Sequence, residues 1–404
     1  MELPNAKQNI RFILSWFSDP FSRPSFKIFS SFITGFIQLG KEIHTSSMVQ
    51  SLNWPSLHRS LSSFTRFLGK NVWAMEEVTQ IALHQFFHRL RIKENSVLFL
   101  IMDDTLTKKT GKKMPGCAWH QDHSRKTYVF GHQWVLLALL YKDFLLPLWA
   151  KLYHPKGARA LGPFQTKITM AQRMLQALRL PIPCKVYLLV DSWYWAKTLV
   201  RCCRKCGYHM ISQLKSNAVL WINGTRTKVN TLPAFDTPYR EVSLCLYGTN
   251  KTLHISKLIA TIQGLGKVAV VGVKEKRKKP HCLVSTNLHL SALDVVKYYA
   301  KRWKIEQMIK DLKQRLGFGD YQARDPLAIQ RHTALVLLSY FVLVLLKILQ
   351  WLRDKAISCV LSIRLLAFQV RKHILIENIS VTFKNMKTKF KQNILDSYLE
   401  QVWT

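Results

Sequence analysis

Acidic residues are scarce in this 404-residue chain, which has 23 Asp and Glu against 60 Lys and Arg and a net charge of +37. A cationic excess of this size favours a polyanionic partner, either nucleic acid or an anionic membrane surface. Apolar residues make up 48% of the chain, which excludes wholesale disorder, and the length allows two or three domains. Because carboxylates are few, each one that follows an apolar run is a candidate functional residue.

A secretory signal and a disulfide framework are both lacking. Residues 1–15 are polar and mixed, so we expect a cytoplasmic protein whose eight cysteines are reduced. Cys202, Cys203 and Cys206 form a CCxxC cluster, but the second CxxC or nearby pair of histidines that a structural zinc site needs does not follow. We predict instead that the cluster ends a helix, which Gly207 terminates.

The chain also lacks an apolar run long enough to span a membrane. Its most apolar stretch, residues 333–351, is uninterrupted only from Ala334 to Leu346, which is shorter than the ~20 residues that a spanning helix needs. Lys347 ends the run, and both flanks are basic, so no orientation in a membrane is specified. We therefore predict a buried core helix and no membrane partner.

Hydrophobic periodicity changes along the chain and predicts an α/β protein that begins with helices. Phenylalanines recur at helical spacing between residues 26 and 36, whereas apolar runs from residue 96 onwards are typical of buried strands. The predicted order from there, β-β-β-α-β-α-β, indicates a mixed sheet with flanking helices. Four more strand-like runs indicate a β-rich insertion. The predicted units are a helical DNA-binding domain (1–90), the first part of the α/β domain (91–211), the β-rich insertion (212–290), the second part of the α/β domain (291–345) and a basic helical C-terminal region (346–404).

Residues 291–317 are predicted to form one helix with a polar stripe. Ser291 and Asp294 form an S-x-x-D capping box at its start, and Gly317 is a stop signal. At about 100° per residue, four side chains fall within an arc of about 60° beside the apolar face: Tyr299, Arg302, Glu306 and Lys313. Surface ion pairs produce similar stripes, so the alignment alone does not distinguish DNA contacts from a solvated face.

Carboxylates follow two of the predicted buried strands. Asp103 and Asp104 end the run LIMDDT, and Asp191 ends LLVDS. A carboxylate at the end of a buried strand is costly unless it is paired or bound to a metal. Two aspartates and Glu306, converging from two strands and a helix, would supply the oxygen ligands that Mg²⁺ prefers. Two such ions about 4 Å apart can activate water and stabilise the leaving oxygen in phosphodiester cleavage.

Together these residues resemble the DDE transposases of bacterial insertion sequences, specifically the insertion-sequence-four superfamily. The signature of that superfamily, Y-(2)-R-(3)-E-(6)-K, is matched without a gap by Tyr299, Arg302, Glu306 and Lys313. Its first aspartate lies in a strand-end DT motif, as Asp104 does, and its second follows an apolar strand, as Asp191 does. The resemblance covers roughly residues 20–345 and is weak before residue 95.

The resemblance implies a ribonuclease H-like fold with a β-strand insertion between the second aspartate and the glutamate. It implies that Mg²⁺, for which Mn²⁺ can substitute, is held by three catalytic residues, Asp104, Asp191 and Glu306. The DNA ends would be contacted by Tyr299, Arg302 and Lys313. The implied function is cut-and-paste transposition: binding of terminal inverted repeats, cleavage at the element ends, and joining of the 3′ ends to double-stranded target DNA. A homodimer on DNA, and a nucleoid-associated location in a bacterial cytoplasm, are expected with it.

Two other functions share part of this pattern. One is a DNA-binding protein that descends from such an enzyme and no longer cleaves DNA, against which the intact acidic triad argues. The other is a metal-dependent nuclease without strand transfer, which does not account for the Y-R-E-K spacing.

Four further residues near these motifs are assigned more modest roles. Asp103 points to the opposite face of its strand from Asp104, so we predict that it is structural. His120 and His123 are predicted to be loop histidines with satisfied hydrogen bonds rather than ligands. Trp221 lies in the insertion, the region in which some relatives stack an aromatic on a flipped base, but no motif assigns it that role.

Overall fold

A computed structural model of the protein describes residues 6–40, 60–111, 113–122, 126–156, 163–232, 240–246, 248–276, 278–353 and 362–384. The helices are α1 (Ala6–Ser15), α2 (Arg23–Leu39), α3 (Leu61–Gly69), α4 (Met75–Leu90), α5 (Lys167–Ala177), α6 (Lys197–Lys205), α7 (Ala292–Ala300), α8 (Trp303–Arg315), α9 (Pro326–Arg353) and α10 (Ile363–Lys384). The strands are β1 (Val97–Lys108), β2 (Ala118–Asp122), β3 (Thr127–Tyr141), β4 (Phe144–Tyr153), β5 (Lys185–Val190), β6 (His209–Gln213), β7 (Val219–Ile222), β8 (Thr225–Lys228), β9 (Arg240–Leu246), β10 (Thr249–Ile262), β11 (Gly266–Glu275) and β12 (His281–Ser285).

The strands of the described residues form one sheet, and β1 lies at the centre of its first half. β1 pairs antiparallel with β3 and parallel with β5. β4 and β2 pair with β3, and β6 continues the sheet in parallel beside β5. Helix α5 packs on β3 and β4, and α8 packs on β1 and β4. The predicted mixed α/β sheet with flanking helices is confirmed, and the order β4–β3–β1–β5–β6 is consistent with the ribonuclease H-like fold that the resemblance implies.

Burial of β1 and β5 explains their continuous apolar sequences. Residues 98–102 of β1 and 186–190 of β5 are all at most 5% exposed. Parallel strands whose two faces are both covered read as unbroken apolar runs rather than as alternating ones. The first acidic residues that follow, Asp103 and Asp191, therefore mark where each strand leaves the covered core.

The β-rich insertion continues this sheet and does not form a sheet of its own. β12 pairs antiparallel with β6, and β11, β10 and β7 follow in turn, while β9 pairs with β10 and β8 with β7. The predicted boundary between residues 211 and 212 consequently falls inside β6. The structure also contains two strands in this region that the sequence analysis did not predict, β7 and β8. Each has four residues, which is too short for a periodic signal.

The predicted helical character of residues 1–90 is confirmed over the described residues, but these helices are not packed apart from the rest. α2, α3 and α4 all pack against α9. On α2, the Phe32 ring centroid lies 5.8 Å from that of Phe67 on α3, and Phe36 lies 5.0 Å from His332 on α9. Arg331 on α9 is 6% exposed and donates hydrogen bonds to three carbonyl oxygens at and beyond the end of α3, those of Phe67, Leu68 and Trp73. The N-terminal helices and α9 thus share one core.

Helix α9 contains the predicted core helix and extends beyond it. In the described part of the chain it is the one helix whose length and composition would let it cross a membrane, and 72% of its most apolar window is buried. This burial agrees with the core-helix prediction. The predicted boundary between residues 345 and 346 falls inside α9. On α10, Arg371 donates to the backbone oxygens of Ile37 and Arg315, both at 2.7 Å. Residues 385–404 of the predicted C-terminal region lie outside the described residues.

The cysteines that the structure describes are all free thiols, in agreement with the prediction. Cys202 and Cys203 lie on α6, which ends at Lys205, and Gly207 adopts a φ of 75°, as expected for a helix stop. Burial raises the pKa of the Cys202 thiol to about 11.

Candidate active site

Two adjacent aspartates lie within β1, which does not end at them as predicted but continues to Lys108. They have separate partners, as expected for side chains on the two faces of a strand. The Asp104 carboxylate accepts a hydrogen bond from the Gln133 amide at 2.7 Å and is bonded by the Lys167 ammonium at the start of α5. The Asp103 carboxylate instead accepts from Arg302, between α7 and α8, at 3.1 Å. Its other oxygen accepts the backbone N–H of Asp104 at 2.8 Å. Asp103 therefore connects the backbone of Asp104 with Arg302.

Asp191 follows β5 immediately and is fixed by its own turn. Its Oδ1 accepts the backbone N–H groups of Trp193 at 3.0 Å and Tyr194 at 3.2 Å. Its carbonyl oxygen accepts the Ser212 hydroxyl of β6 at 2.9 Å. The side chain is thus held at the carboxyl end of the strand that neighbours β1.

The three aspartates converge around a buried tyrosine. Tyr194 is 1% exposed, and burial raises the pKa of its hydroxyl well above the ordinary value of 10, with further contributions from the charges of Asp104, Asp103 and Asp191. Burial likewise raises the pKa of Asp103 to about 7, which Arg302 opposes and which the negative charges of Asp104 and Asp191 increase. Carboxylates from β1 and β5 thus interact electrostatically, as the strand-end prediction requires.

A cleft of about 630 Å³ opens beside these carboxylates. Asp104, Asp191 and Lys313 all line it. The Lys313 ammonium donates to the backbone oxygen of Leu106, two residues beyond Asp104, at 2.6 Å. The structure therefore brings one cation of the predicted stripe to the two predicted catalytic aspartates.

The start and the end of the predicted 291–317 helix are confirmed. The Ser291 hydroxyl accepts the Asp294 N–H at 3.0 Å, so Ser291 is the N-cap of α7. Gly317, with a φ of 74°, follows the last residues of α8.

The prediction of a single helix between these ends is wrong. The N–H groups of Lys301 and Arg302 bond to carbonyls three residues back, those of Tyr298 and Tyr299, which tightens the chain into one turn of about three residues. Because this turn separates α7 from α8, the arc calculated for a continuous helix does not hold across it. Tyr299 lies before the break, and Glu306 and Lys313 lie after it.

Arg302 pairs with two carboxylates. Besides Asp103, it bonds Glu306, with Nη2 at 2.5 Å from Oε1. Glu306 does not line the cleft of Asp104 and Asp191. Arg302 and Tyr299 instead line a second cavity of about 240 Å³, which the insertion strands β10, β11 and β12 border on the other side. The predicted polar stripe is thus divided: Tyr299 and Arg302 line the second cavity, Lys313 lines the first, and Glu306 lines neither.

A comparison with known protein families decides the identity of the chain. The profile of the transposase DDE domain matches residues 98–342, from β1 into α9. This chain belongs to the DDE transposase family. The matched region contains Asp104, Asp191 and all of α8. A search of curated proteins found no match.

DDE transposases usually use divalent metal ions, and the donor atoms of this transposase fit such an ion in part. Asp104 and Asp191 present carboxylate oxygens, the ligand type that Mg²⁺ prefers, to one cleft. The Lys167 ammonium on Asp104 shows that this carboxylate already holds a cation. Among the described residues, however, no group of three or more His, Cys, Asp or Glu side chains is arranged to hold a metal ion. Glu306, the third predicted ligand, is bonded to Arg302 and does not line the cleft.

Most residues that line the cleft of the transposase were not predicted as site residues, among them His120, Gln133, Lys167 and Trp193. His120 was predicted to be a satisfied loop residue, and this is wrong because it lies on β2, is 6% exposed, and its Nε2 has no hydrogen-bond partner. His123 lies outside the described residues. A signal for Trp193 existed in the aromatic cluster WYW directly after Asp191, whereas Lys167 has no sequence signal beyond its place at a helix start.

Trp221 is remote from the cleft along the sheet. It lies on β7, and four strands separate β7 from β5 in the strand order. At the usual strand spacing this corresponds to roughly 24 Å.

Proposed function

We propose that this transposase is a member of the insertion-sequence-four superfamily that works by cut and paste. It binds terminal inverted repeats, cleaves at the element ends and joins the 3′ ends to double-stranded target DNA. The observation that carries the proposal is the shared cleft: Asp104 and Asp191 face it together with Lys313 of the Y-R-E-K signature. Ligands for a metal ion and a cation for a phosphate thus meet in one open site.

In this proposal Asp104, Asp191 and Glu306 hold Mg²⁺, for which Mn²⁺ can substitute. When bound, two such ions would supply Lewis acidity at the scissile phosphate. The protein contributes the orientation of the ligands. Gln133 fixes the Asp104 carboxylate, and the turn after β5 fixes Asp191 through its backbone N–H groups.

The contacts to the DNA ends are assigned to Tyr299, Arg302 and Lys313. Lys313 lines the cleft beside Asp104, and its ammonium lies 2.6 Å from the backbone oxygen of Leu106 on β1. It is therefore placed to contact a phosphate bound beside Asp104. Arg302 is engaged by Asp103 and Glu306, so it contacts DNA only after an exchange of partners. Such an exchange would release Glu306 toward the metal and Arg302 toward the DNA in the same event. Because two ends must be joined, a homodimer on DNA is part of the proposal.

The test uses the full-length protein, a labelled duplex that carries the element end, and a target plasmid, with Mg²⁺ or with EDTA. The end sequence is taken from the DNA that flanks the reading frame, and a duplex with a scrambled end is the matched control. Metal-dependent cleavage followed by joining supports the proposal. Cleavage without joining identifies a nuclease, and binding without cleavage identifies an inactive derivative of a transposase.

A further inference from the structure

The wall of the cleft on the α5 side carries three side chains for which the proposed chemistry has no role. Lys167 is the first residue of α5, His120 lies on β2, and Trp193 lies in the turn after β5. All three line the cleft with Asp104 and Asp191. They come from separate elements, so their convergence is a property of the fold.

Lys167 neutralises the Asp104 carboxylate. Its ammonium bonds the Asp104 carboxylate and lies 5.1 Å from the centroid of the Trp193 ring and 5.4 Å from that of Tyr153. The Lys167 side chain is 15% exposed, so the charge is largely shielded from water. Asp104 has a single carboxylate, and a metal ion bound to it would repel the Lys167 ammonium. Lys167 therefore needs another anion when Asp104 takes up its proposed role.

His120 provides a buried atom that lacks a partner. The residue is 6% exposed and lines the cleft, and its Nε2 has no hydrogen bond. Buried polar side-chain atoms are nearly always paired, so an unpaired one that borders a polar cleft indicates a ligand atom. Burial and the charge of Lys167 lower the pKa of His120, and a hydrogen bond with the Gly131 backbone raises it. The unpaired Nε2 donates to an anion when it carries a ring proton, which a bound phosphate favours.

Trp193 provides an aromatic surface at the same wall. It is 47% exposed, yet its backbone N–H is fixed to Asp191 at 3.0 Å. The indole contacts the Tyr194 ring edge-on, with the ring centroids 4.9 Å apart. An exposed indole at this position is a surface on which a DNA base can stack, and stacking of this kind tolerates any base sequence.

We propose that Lys167, His120 and Trp193 form a nucleotide-binding subsite for the DNA end. Lys167 and His120 bind a backbone phosphate, for which Lys167 gives up Asp104, and the Trp193 indole stacks on the attached base. This inference rests on the proposed function and extends it, because the DNA end is then held from the α5 wall as well as from α8.

The experiment separates phosphate binding from the ion pair with Asp104. All variants carry Asp104→Asn, which removes the charge that Lys167 neutralises, and binding is measured in EDTA. The probe is a labelled element end with a short unpaired terminus that contains 2-aminopurine. Binding is titrated at several salt concentrations.

In this background Lys167→Ala should weaken binding about 10-fold and lower the slope of log K against log salt by about 0.7–0.9. Lys167→Arg should restore the slope. Lys185→Ala is the matched control, because Lys185 is exposed at the opposite end of β5 from Asp191, and it should change neither quantity. His120→Phe, which keeps the ring shape without its nitrogens, should weaken binding several-fold.

Stacking is read from the fluorescence of 2-aminopurine. The parent should quench it, Trp193→Ala should abolish the quenching, and Trp193→Phe should retain most of it. A parental salt slope in Lys167→Ala with undiminished quenching in Trp193→Ala overturns the subsite. Cleavage and joining by the unmodified protein are measured separately. If the unmodified protein cleaves and joins DNA while the variants bind as the parent does, the subsite is wrong and the transposase function stands. If the variants lose the salt slope and the quenching but the unmodified protein does not cleave DNA, the subsite stands and the transposase function is wrong.

Discussion

The Arg302 guanidinium donates a hydrogen bond to the Asp103 carboxylate across 3.1 Å, although 199 residues separate them in the chain. Asp103 was predicted to have a local structural role. In the structure its contacts extend further, because its two oxygens connect the backbone of Asp104 with the side chain of Arg302, which also bonds Glu306. The separation of the first and third predicted ligands therefore depends on Asp103.

The first prediction concerns this bridge. Arg302→Ala should lower the free energy of unfolding by about 1–3 kcal/mol, between the values for exposed and buried ion pairs, because Asp103 and Glu306 are 17% and 32% exposed and lose a shared partner. Asp103→Asn should cost less. The double variant, Arg302→Ala with Asp103→Asn, should be more stable than the sum of the two single effects implies. Denaturant unfolding of the parent and the three variants measures these free energies. Additive effects would mean that the contact carries no coupling energy.

The second prediction concerns the acidic triad. Asp104→Ala, Asp191→Ala and Glu306→Ala should each abolish strand cleavage, because each removes a proposed metal ligand, and addition of EDTA to the parent should do the same. DNA binding should survive in all three variants, since it depends on basic contacts. Cleavage and gel-shift assays on one labelled end measure both. Near-normal cleavage by any of these variants would show that the residue is misassigned.

The third prediction concerns Lys313. Lys313→Ala should leave initial recognition of the end intact but slow second-strand processing and joining by roughly 10- to 100-fold, the value of one charge-assisted contact felt in the transition state. The control is Lys310→Ala, an exposed lysine on the same helix. Pre-nicked and intact ends are compared, with thermal melting to detect unfolding. Equal rates for the two variants would make Lys313 a structural partner of β1 only.

The fourth prediction concerns pH and a buried histidine. His132 is fully buried, with Nδ1 at 2.6 Å from the Tyr321 hydroxyl, and burial lowers its pKa to about 4 from the ordinary 6.5. Between pH 4 and 6.5 the unfolded state therefore binds a proton that the folded state does not. The stability that His132 contributes is complete above pH 6.5 and is lost as pH falls to 4, by about 3 kcal/mol at most.

His132→Gln should remove this component, so the stability difference between parent and variant should shrink as pH falls through this window. Chemical denaturation at a series of pH values provides the measurement. The carboxylates titrate in both proteins and cancel in the difference. A difference that stays constant from pH 7 to pH 4 would show that His132 titrates alike in both states.

The fifth prediction concerns the N-terminal helices. The sequence alone predicts that a chain without residues 1–90 loses its preference for element ends and keeps salt-sensitive, non-specific binding. The structure predicts aggregation instead, because the deletion uncovers α9. Recognition is therefore better tested by replacing two exposed cations in the intact protein, Lys27 on α2 and Lys70 directly after α3, in the double variant Lys27→Ala, Lys70→Ala. Unchanged preference for the end over scrambled DNA in this variant, with a parental melting temperature, would place recognition elsewhere.

The sequence predicted the parts of the site that local chemistry determines. An apolar run that ends in an aspartate marks where a strand leaves the covered core, which is why Asp104 and Asp191 were predicted to lie close together, as the shared cleft confirms. The opposed directions of Asp103 and Asp104 followed from strand alternation. The stop at Gly317 was equally local, because few other residues adopt its positive φ readily.

The missed features depend on contacts between distant segments. The turn between α7 and α8 consists of Lys301 and Arg302, which are both good helix formers, so helix propensity does not predict it. The pairing of Arg302 with Asp103 follows from where that turn places the guanidinium against β1. The Lys167–Asp104 contact likewise depends on the packing of α5 over the sheet, which a one-dimensional pattern does not encode.

The shared core of α2–α4 and α9 has a consequence for biosynthesis. Helix α4 ends at Leu90, and α9 begins at Pro326. At about 5–20 residues per second, a ribosome delivers α9 roughly 10–50 s after α4. During that interval the phenylalanines of the first helices can pack against one another but not against α9. A nascent chain with this apolar surface exposed is a substrate for chaperones. The pace of translation, rather than the rate of helix docking, therefore sets the moment at which this core can close.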